Sequence, residues 1–181
     1  GSAYENLNEL PESVKQIIDV ENSENLVIQH NNDLAYSQVS DQAKKDGVII
    51  EGLSEALVNH SDLVQKYYMT DAVNVDEHRL TALHTALMNG GIFVYVPKNI
   101  VVEHPIQYVV LHDDDNASFY NHVILVTEES AEVTYVENYL SNANGEDNQI
   151  NIVSEVIAGA IPILENNPIL LAVIYCGTIP V

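Results

Sequence analysis

Apolar residues change texture three times along the chain. In the polar stretch 4–24, Pro11 fits a first helical turn, and Val14, Ile17 and Ile18 recur at helical spacing, which predicts one short helix. Leu26–Val27–Ile28–Gln29–His30 predicts a strand, Asn31–Asn32–Asp33 a turn through its side-chain chemistry, and Leu34–Val39 a return strand. Val48–Ile49–Ile50 follows Gly47 as another short strand.

A helical section then runs from about Leu53 to Asn89. Leu53, Ala56, Leu57, His60, Leu63, Val64 and Tyr67 recur at three- and four-residue steps and form one apolar stripe. Asp62 is placed to cap a fresh helix within that stretch, which allows two helices. Asp76 is a good N-cap, with Glu77 in the positive first turn, and Leu80, Leu83, His84 and Leu87 stripe the helix it opens. Gly90–Gly91 supplies its left-handed stop.

After Gly91 helical periodicity disappears. Strands are predicted at Ile92–Val96, Gln107–Leu111, Ser118–Val126, Glu132–Tyr139 and Gln149–Ile157, separated by polar turns such as Asp113–Asn116 and Glu128–Ser130. Repeated strand–turn units fit a sandwich, a barrel or a β-helix, and the irregular period does not choose among them. A stacked coil of this kind needs further rungs, or a partner on its open edge. The last segment, Ile161–Val181, carries a single charge, Glu165, is broken by Pro162, Pro168 and Pro180, and is uniformly apolar over Ile169–Tyr175, so a native fold must cover it.

With 181 residues, 46% of them apolar, the chain can bury the core of one domain plus a small appendage. A formal charge of −21 favours solubility and repels phosphate backbones and anionic lipid, so neither nucleic acid nor a membrane is an expected partner. Ten Tyr against two Phe and no Trp predict phenols at edges and half-wet faces. Cys176 is the sole cysteine, which excludes an intramolecular disulfide and a paired-thiol zinc motif. No basic-then-apolar leader opens the sequence, Gly1–Ser2–Ala3 reads as an expression scar, and Ile169–Tyr175 is far short of the roughly 20 residues that span a bilayer.

Candidate chemistry is sparse. His78 and His84 do not share a helical face, and His60 reads as a packed ring on the stripe. His104, His112 and His122 fall near strand ends and would make a metal site only if stacking brought them together. Asp113–Asp114–Asp115–Asn116 lacks the alternating ligands, central Gly and distal Glu of an EF-hand and reads as a solvated turn. Glu128–Glu129 and Glu132/Glu137 offer paired carboxylates, with an exposed acidic edge as the plainer reading. Cys176 alone cannot ligate a cluster that needs about four thiolates, and Gly90–Gly91 lacks the spacing of a phosphate loop.

Several of these segments together carry a resemblance. They are the helix Asp76–Glu77–His78–Arg79–Leu80–Thr81–Ala82–Leu83–His84–Thr85–Ala86–Leu87, the Gly90–Val96 passage into strand, Val96–Pro97–Lys98 followed by His104–Pro105–Ile106, the strand Val123–Ile124–Leu125–Val126, and Ala131–Glu132–Val133 after an acidic turn. In this order they resemble the SufB/SufD family of iron–sulfur cluster assembly proteins. The resemblance runs from about Leu10 to Ala160, and the lack of Cys before position 176 favours the SufD branch.

The resemblance implies a mainly β fold with α: an N-terminal helical segment (4–90) followed by a right-handed parallel β-helix, of which 91–160 would be the first coils, and then an atypical apolar tail (161–181). It implies a cytoplasmic, non-enzymatic scaffold subunit of the SufBCD complex. The partners would be SufB, met through the β-helix, and the SufC ATPase, with a cysteine desulfurase system supplying sulfur indirectly. No cofactor is expected in this fragment, since the cluster is built by the full complex. The later rungs and C-terminal helices of the family are missing from the sequence, as is the first part of its helical region. No family site residue therefore carries over, any metal ligand stays unassigned, and the tail reads as a truncated product with an altered reading frame. The alternative is a carbohydrate- or small-molecule-binding β-rich enzyme using paired carboxylates from adjacent rungs, and a third reading is a metal-buffering His/Asp surface.

Overall fold

The computed structural model describes residues 4–68, 89–116, 118–141 and 150–159. The helix predicted over Asp76–Leu87, with His78 and His84, residues 142–149 and the tail with Cys176 lie outside the described residues.

Among the described residues eight strands dominate: β1 (Asn25–His30), β2 (Asp33–Gln38), β3 (Ile49–Gly52), β4 (Gly90–Val96), β5 (Ile106–His112), β6 (Phe119–Thr127), β7 (Tyr135–Ser141) and β8 (Ile150–Ala158). Four short α-helices accompany them there: α1 (Glu12–Lys15), α2 (Asp41–Lys45), α3 (Leu53–Asn59) and α4 (Ser61–Tyr67). The strands form two four-stranded mixed sheets, ordered β2-β1-β5-β7 and β3-β4-β6-β8. Each sheet begins with one antiparallel strand, β2 beside β1 and β3 beside β4, and continues in parallel.

From β4 onward, successive strands alternate between the sheets, and each lies parallel to the strand two before it: β4 with β6, β5 with β7, β6 with β8. None of these pairs shifts register. The corners stack as well. Asn99 N–H donates to the Glu129 carbonyl at 3.1 Å, Val102 N–H to the Glu132 carbonyl at 2.9 Å, and Glu132 N–H to the Ile100 carbonyl at 2.9 Å. Asn99 and Ser130 occupy these corners with positive φ, which short polar side chains tolerate.

The strand period of two sorts side chains between an inner and an outer layer. Val27, Ile92, Val94, Ile106, Tyr108, Val110, Phe119, Val123 and Leu125 meet between the sheets. On the outside of the first sheet, Leu10, Val14 and Ile18 of the N-terminal segment cover Leu26, Ile28, Val109 and Leu111. On the outside of the second, Leu53 and Ala56 of α3 and Val64 and Tyr67 of α4 cover Phe93, Ile124 and Val126. A strand covered on both faces is mostly apolar, and β6 is buried at all nine positions, with Asn121, His122 and Thr127 as its polar members.

Several expectations change. Gly90–Gly91 opens β4, and the helix it is expected to stop lies outside the described residues. Gly91 has φ +139°, and a Cβ there would overlap the His122 carbonyl, so glycine is required by close approach of two backbones. The 53–67 stripe is two helices, but the break falls at His60 rather than at an Asp62 cap. His60 therefore leaves the stripe and reaches Glu51, at 3.2 Å, while Leu57 is exposed. The helix α2 has no apolar stripe to announce it; Ser40 caps it by accepting from Ala43 N–H at 3.1 Å. The strand predicted from Glu132 starts at Tyr135, and Glu132 forms only an isolated bridge to Val101. Tyr67, Tyr108, Tyr120, Tyr135 and Tyr139 are buried rather than half-wet.

Candidate functional site

Two features set this molecule apart from a plain apolar stack: a polar ladder inside it and the way it ends. The ladder begins on β1. Gln29 Oε1 accepts from Gly91 N–H at 3.1 Å and from the Tyr108 hydroxyl at 2.6 Å, while Gln29 Nε2 donates to the Asn31 carbonyl at 2.8 Å. Asn121 Oδ1 lies 3.2 Å from the same Tyr108 hydroxyl, and Asn121 Nδ2 donates to the Tyr139 hydroxyl at 3.0 Å. Gln29, Tyr108 and Tyr139 come from one sheet and Gly91 and Asn121 from the other, so the ladder ties the two faces together. Burial holds the Tyr108 phenol far above its ordinary pKa, so it stays a neutral donor.

At the far end sits Glu137, 2% exposed. Its Oε2 accepts from the Tyr135 hydroxyl at 2.9 Å and its Oε1 from the Ser154 hydroxyl at 3.0 Å. Burial raises its pKa, and the hydroxyls of Tyr135, Ser154 and Tyr139 pull against that rise without cancelling it. The exposed acidic edge expected at Glu132/Glu137 thus holds for Glu132 only. Beside this carboxylate, β7 and β8 are the last strands of their sheets among the described residues, and Ile150 and Val156 of β8 are 52% and 37% exposed.

The remaining candidates are scattered. His104 faces Glu24 at 3.5 Å. His112 is buried against the Phe119 ring, 5.2 Å between centroids. His122 is fully buried on the outer side of β6, with Nε2 2.6 Å from Glu155 Oε1 and its ring against Tyr68. Three histidines with three separate settings do not make a metal site, and among the described residues no three His, Cys, Asp or Glu groups converge on one. The Asp113 turn is a tether: its carboxylate lies 2.9 Å from His30 Nε2 and accepts from Asn31 Nδ2 at 2.9 Å. Burial raises the Asp113 pKa, but hydrogen bonds from His30 and Asn31 outweigh it and hold the group below its ordinary value. Glu128 accepts from the hydroxyls of Tyr67 at 3.0 Å and Tyr95 at 3.3 Å, and Glu129 pairs with Lys98 at 2.9 Å. Each carboxylate is bound to its own partners, and no facing pair emerges.

Sequence reasoning missed the ladder and the His122–Glu155 pair. Gln29, Asn121 and Glu155 each sit beside another polar residue (His30, His122 and Ser154) within a mainly apolar run, and such a polar pair there is the available signal.

Among the described residues the strands stack in parallel and no catalytic grouping forms, so kinship decides the reading. A family profile described as SufBD protein N-terminal region matches residues 6–108. The chain belongs to the SufB/SufD family. It is 49% identical over 154 residues to the iron–sulfur cluster assembly protein SufD of Bacillus subtilis (strain 168), a match covering 84% of this chain and 35% of that protein. It is 27% identical over 137 residues to an iron–sulfur cluster assembly SufBD family protein of Staphylococcus aureus (strain USA300), covering 71% of this chain and 29% of the relative. Within the family the likeness is strongest to SufD, and the chain spans about a third of the length of these curated relatives. No helix among the described residues is long and apolar enough to cross a membrane.

Proposed function

We propose that this chain supplies the opening coils of a non-catalytic scaffold subunit in iron–sulfur cluster assembly. In this reading β4–β8 are the first turns of a right-handed parallel β-helix, and the mixed antiparallel strands β2 and β3 close its starting end. Further coils add to β7 and β8, and the completed subunit pairs with SufB and serves the SufC ATPase in the cytoplasm. Sulfur reaches the complex from a cysteine desulfurase, and this segment holds no cluster of its own.

The observation that carries the reading is the strict alternation of strands between two sheets, in unshifted parallel register, within a chain 49% identical to a SufD. The exposed Ile150 and Val156 support continuation, because an apolar parallel edge is an aggregation hazard unless another strand covers it. The paired-carboxylate enzyme draws no support, since Glu128 and Glu137 are engaged by hydroxyls, Glu129 by a lysine, and Glu132 is exposed.

A hybrid tests this. The matched segment of Bacillus SufD is replaced by the corresponding residues of this chain and co-expressed with SufB and SufC. The hybrid is expected to co-purify with both and to restore iron–sulfur enzyme activity in a SufD-depleted host. A well-folded hybrid that binds neither partner, while Bacillus SufD binds both, refutes the proposal.

A further inference from the structure

The polar ladder inside the core has a limited number of protons to share, and Glu137 decides whether they suffice. The ladder's first rung is fixed by main chain. Gly91 N–H donates to Gln29 Oε1 and Gln29 Nε2 donates to the Asn31 carbonyl, so the Gln29 amide has one orientation. The Tyr108 phenol, kept neutral by burial, owns a single proton, and Gln29 Oε1 takes it at 2.6 Å. Among the described residues the Asn121 side chain has two hydrogen-bonding contacts, the Tyr108 hydroxyl at 3.2 Å and the Tyr139 hydroxyl at 3.0 Å. Neither is main chain, so either end of the amide can face either hydroxyl. Tyr139 in turn hydrogen-bonds Glu137.

Two arrangements follow from counting protons. With Glu137 neutral, its O–H donates to Tyr139, Tyr139 to Asn121 Oδ1, Asn121 Nδ2 to Tyr108, and Tyr108 to Gln29. Every contact then holds one proton. With Glu137 ionised, Tyr139 turns its proton to the carboxylate and Asn121 Nδ2 must serve Tyr139. Asn121 Oδ1 is then left facing a Tyr108 oxygen whose proton is spent on Gln29. The structure shows this second orientation, with Nδ2 on Tyr139 and Oδ1 towards Tyr108. In a low-dielectric interior such an unfilled contact is costly.

We propose that the ladder is a proton-responsive relay, in which gain or loss of the Glu137 proton turns the Asn121 amide over and so couples the β7–β8 end of the core to Gln29 on β1. Among the described residues Glu137 meets no cation. The groups facing it are Tyr135 and Tyr139 on β7, Tyr108 on β5 and Ser154 on β8, whereas His122 and Glu155 pair on the outer side of the second sheet. Burial raises the Glu137 pKa, so the complete ladder is present through the ordinary glutamate range and is lost as pH rises through the folded value. The proton comes from solvent and returns to it. The relay lies in this segment's own core and holds independently of the partners proposed above.

The test is an NMR titration of the full chain from about pH 4 to pH 9, the range open to a buried glutamate. It follows the Glu137 carboxyl carbon and the side-chain amides of Asn121 and Gln29. All three are expected to titrate with one midpoint. Glu137→Gln keeps a donor for Tyr139 but cannot ionise, so both amides should hold still across the range. Tyr139→Phe removes the hydroxyl between carboxyl and amide, so Glu137 should still titrate while Asn121 and Gln29 stop following it. Native amides that stay still while Glu137 titrates, amides that follow Glu137 in Tyr139→Phe as closely as in the native chain, or a Glu137 that does not titrate in this range would each overturn the proposal. Backbone spectra matching the native chain establish that the variants are folded. Should Tyr139→Phe not fold, the native and Glu137→Gln titrations decide the question.

Discussion

A single methyl group at Gly91 tests the stacked-backbone geometry more sharply than any large truncation. Gly91 holds φ +139°, and the Cβ of an alanine would overlap the carbonyl and amide of His122 on the next strand of its sheet. The unusual backbone angle costs about 1–3 kcal/mol for a residue with a side chain. Relieving the overlap requires β4 and β6 to separate, which by analogy with overpacked cores costs about 1–3 kcal/mol more. Gly91→Ala should therefore lose about 2–6 kcal/mol, a large part of the 5–15 kcal/mol typical of a domain. Two glycines provide internal scale. Gly47 also has positive φ, +77°, but its Cβ would meet only Pro97 Cγ at 3.5 Å, an ordinary contact, so Gly47→Ala should cost about 1–2 kcal/mol. Gly52 has φ −54°, with Leu34 Cδ2 3.9 Å from its Cβ position, so Gly52→Ala should be neutral or stabilise by about 0.4–1 kcal/mol through the unfolded chain. Urea unfolding followed by circular dichroism gives all three values. A Gly91→Ala protein as stable as Gly47→Ala would refute the close approach of β4 and β6.

Glu137 sets a pH dependence. Its folded pKa lies above the unfolded one, so the fold bears no penalty from this group below the ordinary glutamate range and a growing penalty as pH rises through the folded value. Glu137→Gln should then be more stable than the native chain at pH 7, with the gap closing towards pH 4; a gap that is constant or reversed, measured by urea midpoints across that range, counts against the assignment. His122→Leu takes the imidazole partner from the buried Glu155 and should cost about 3–5 kcal/mol, whereas His122→Leu/Glu155→Leu should recover much of that loss, a comparison made by a double-mutant cycle. Ser40→Ala removes the cap of α2 and should cost about 1 kcal/mol by the same assay.

Strands were legible where local texture suffices. The runs at 26–30, 92–96 and 107–111 have apolar stretches between turn residues, and the structure places strands there within one or two positions. The SufB/SufD kinship was legible from the order of those runs around Gly90–Gly91. What was hidden depends on partners far along the chain. His122 and Glu155 meet only because β6 and β8 stack in one register, and no spacing rule encodes that. Gly91 must be glycine because of the backbone of His122, a partner on another strand that local texture does not name. The buried tyrosines follow the same logic: their hydroxyls found partners inside, at Gln29, Asn121 and Glu137, that composition could not name. The helix α2 is five residues long, too short for periodicity to register.

The parallel mate of β1 is β5, and Asn25 pairs with Ile106, about eighty positions later. On a ribosome adding about 5–20 residues each second, the β1–β2 hairpin waits roughly 4–16 s before that mate emerges, and a lone hairpin is marginal in water. The nascent chain must therefore carry the inner face of that hairpin unsheltered until its mate emerges. That interval, rather than the finished shape, is where a chaperone has the most to do.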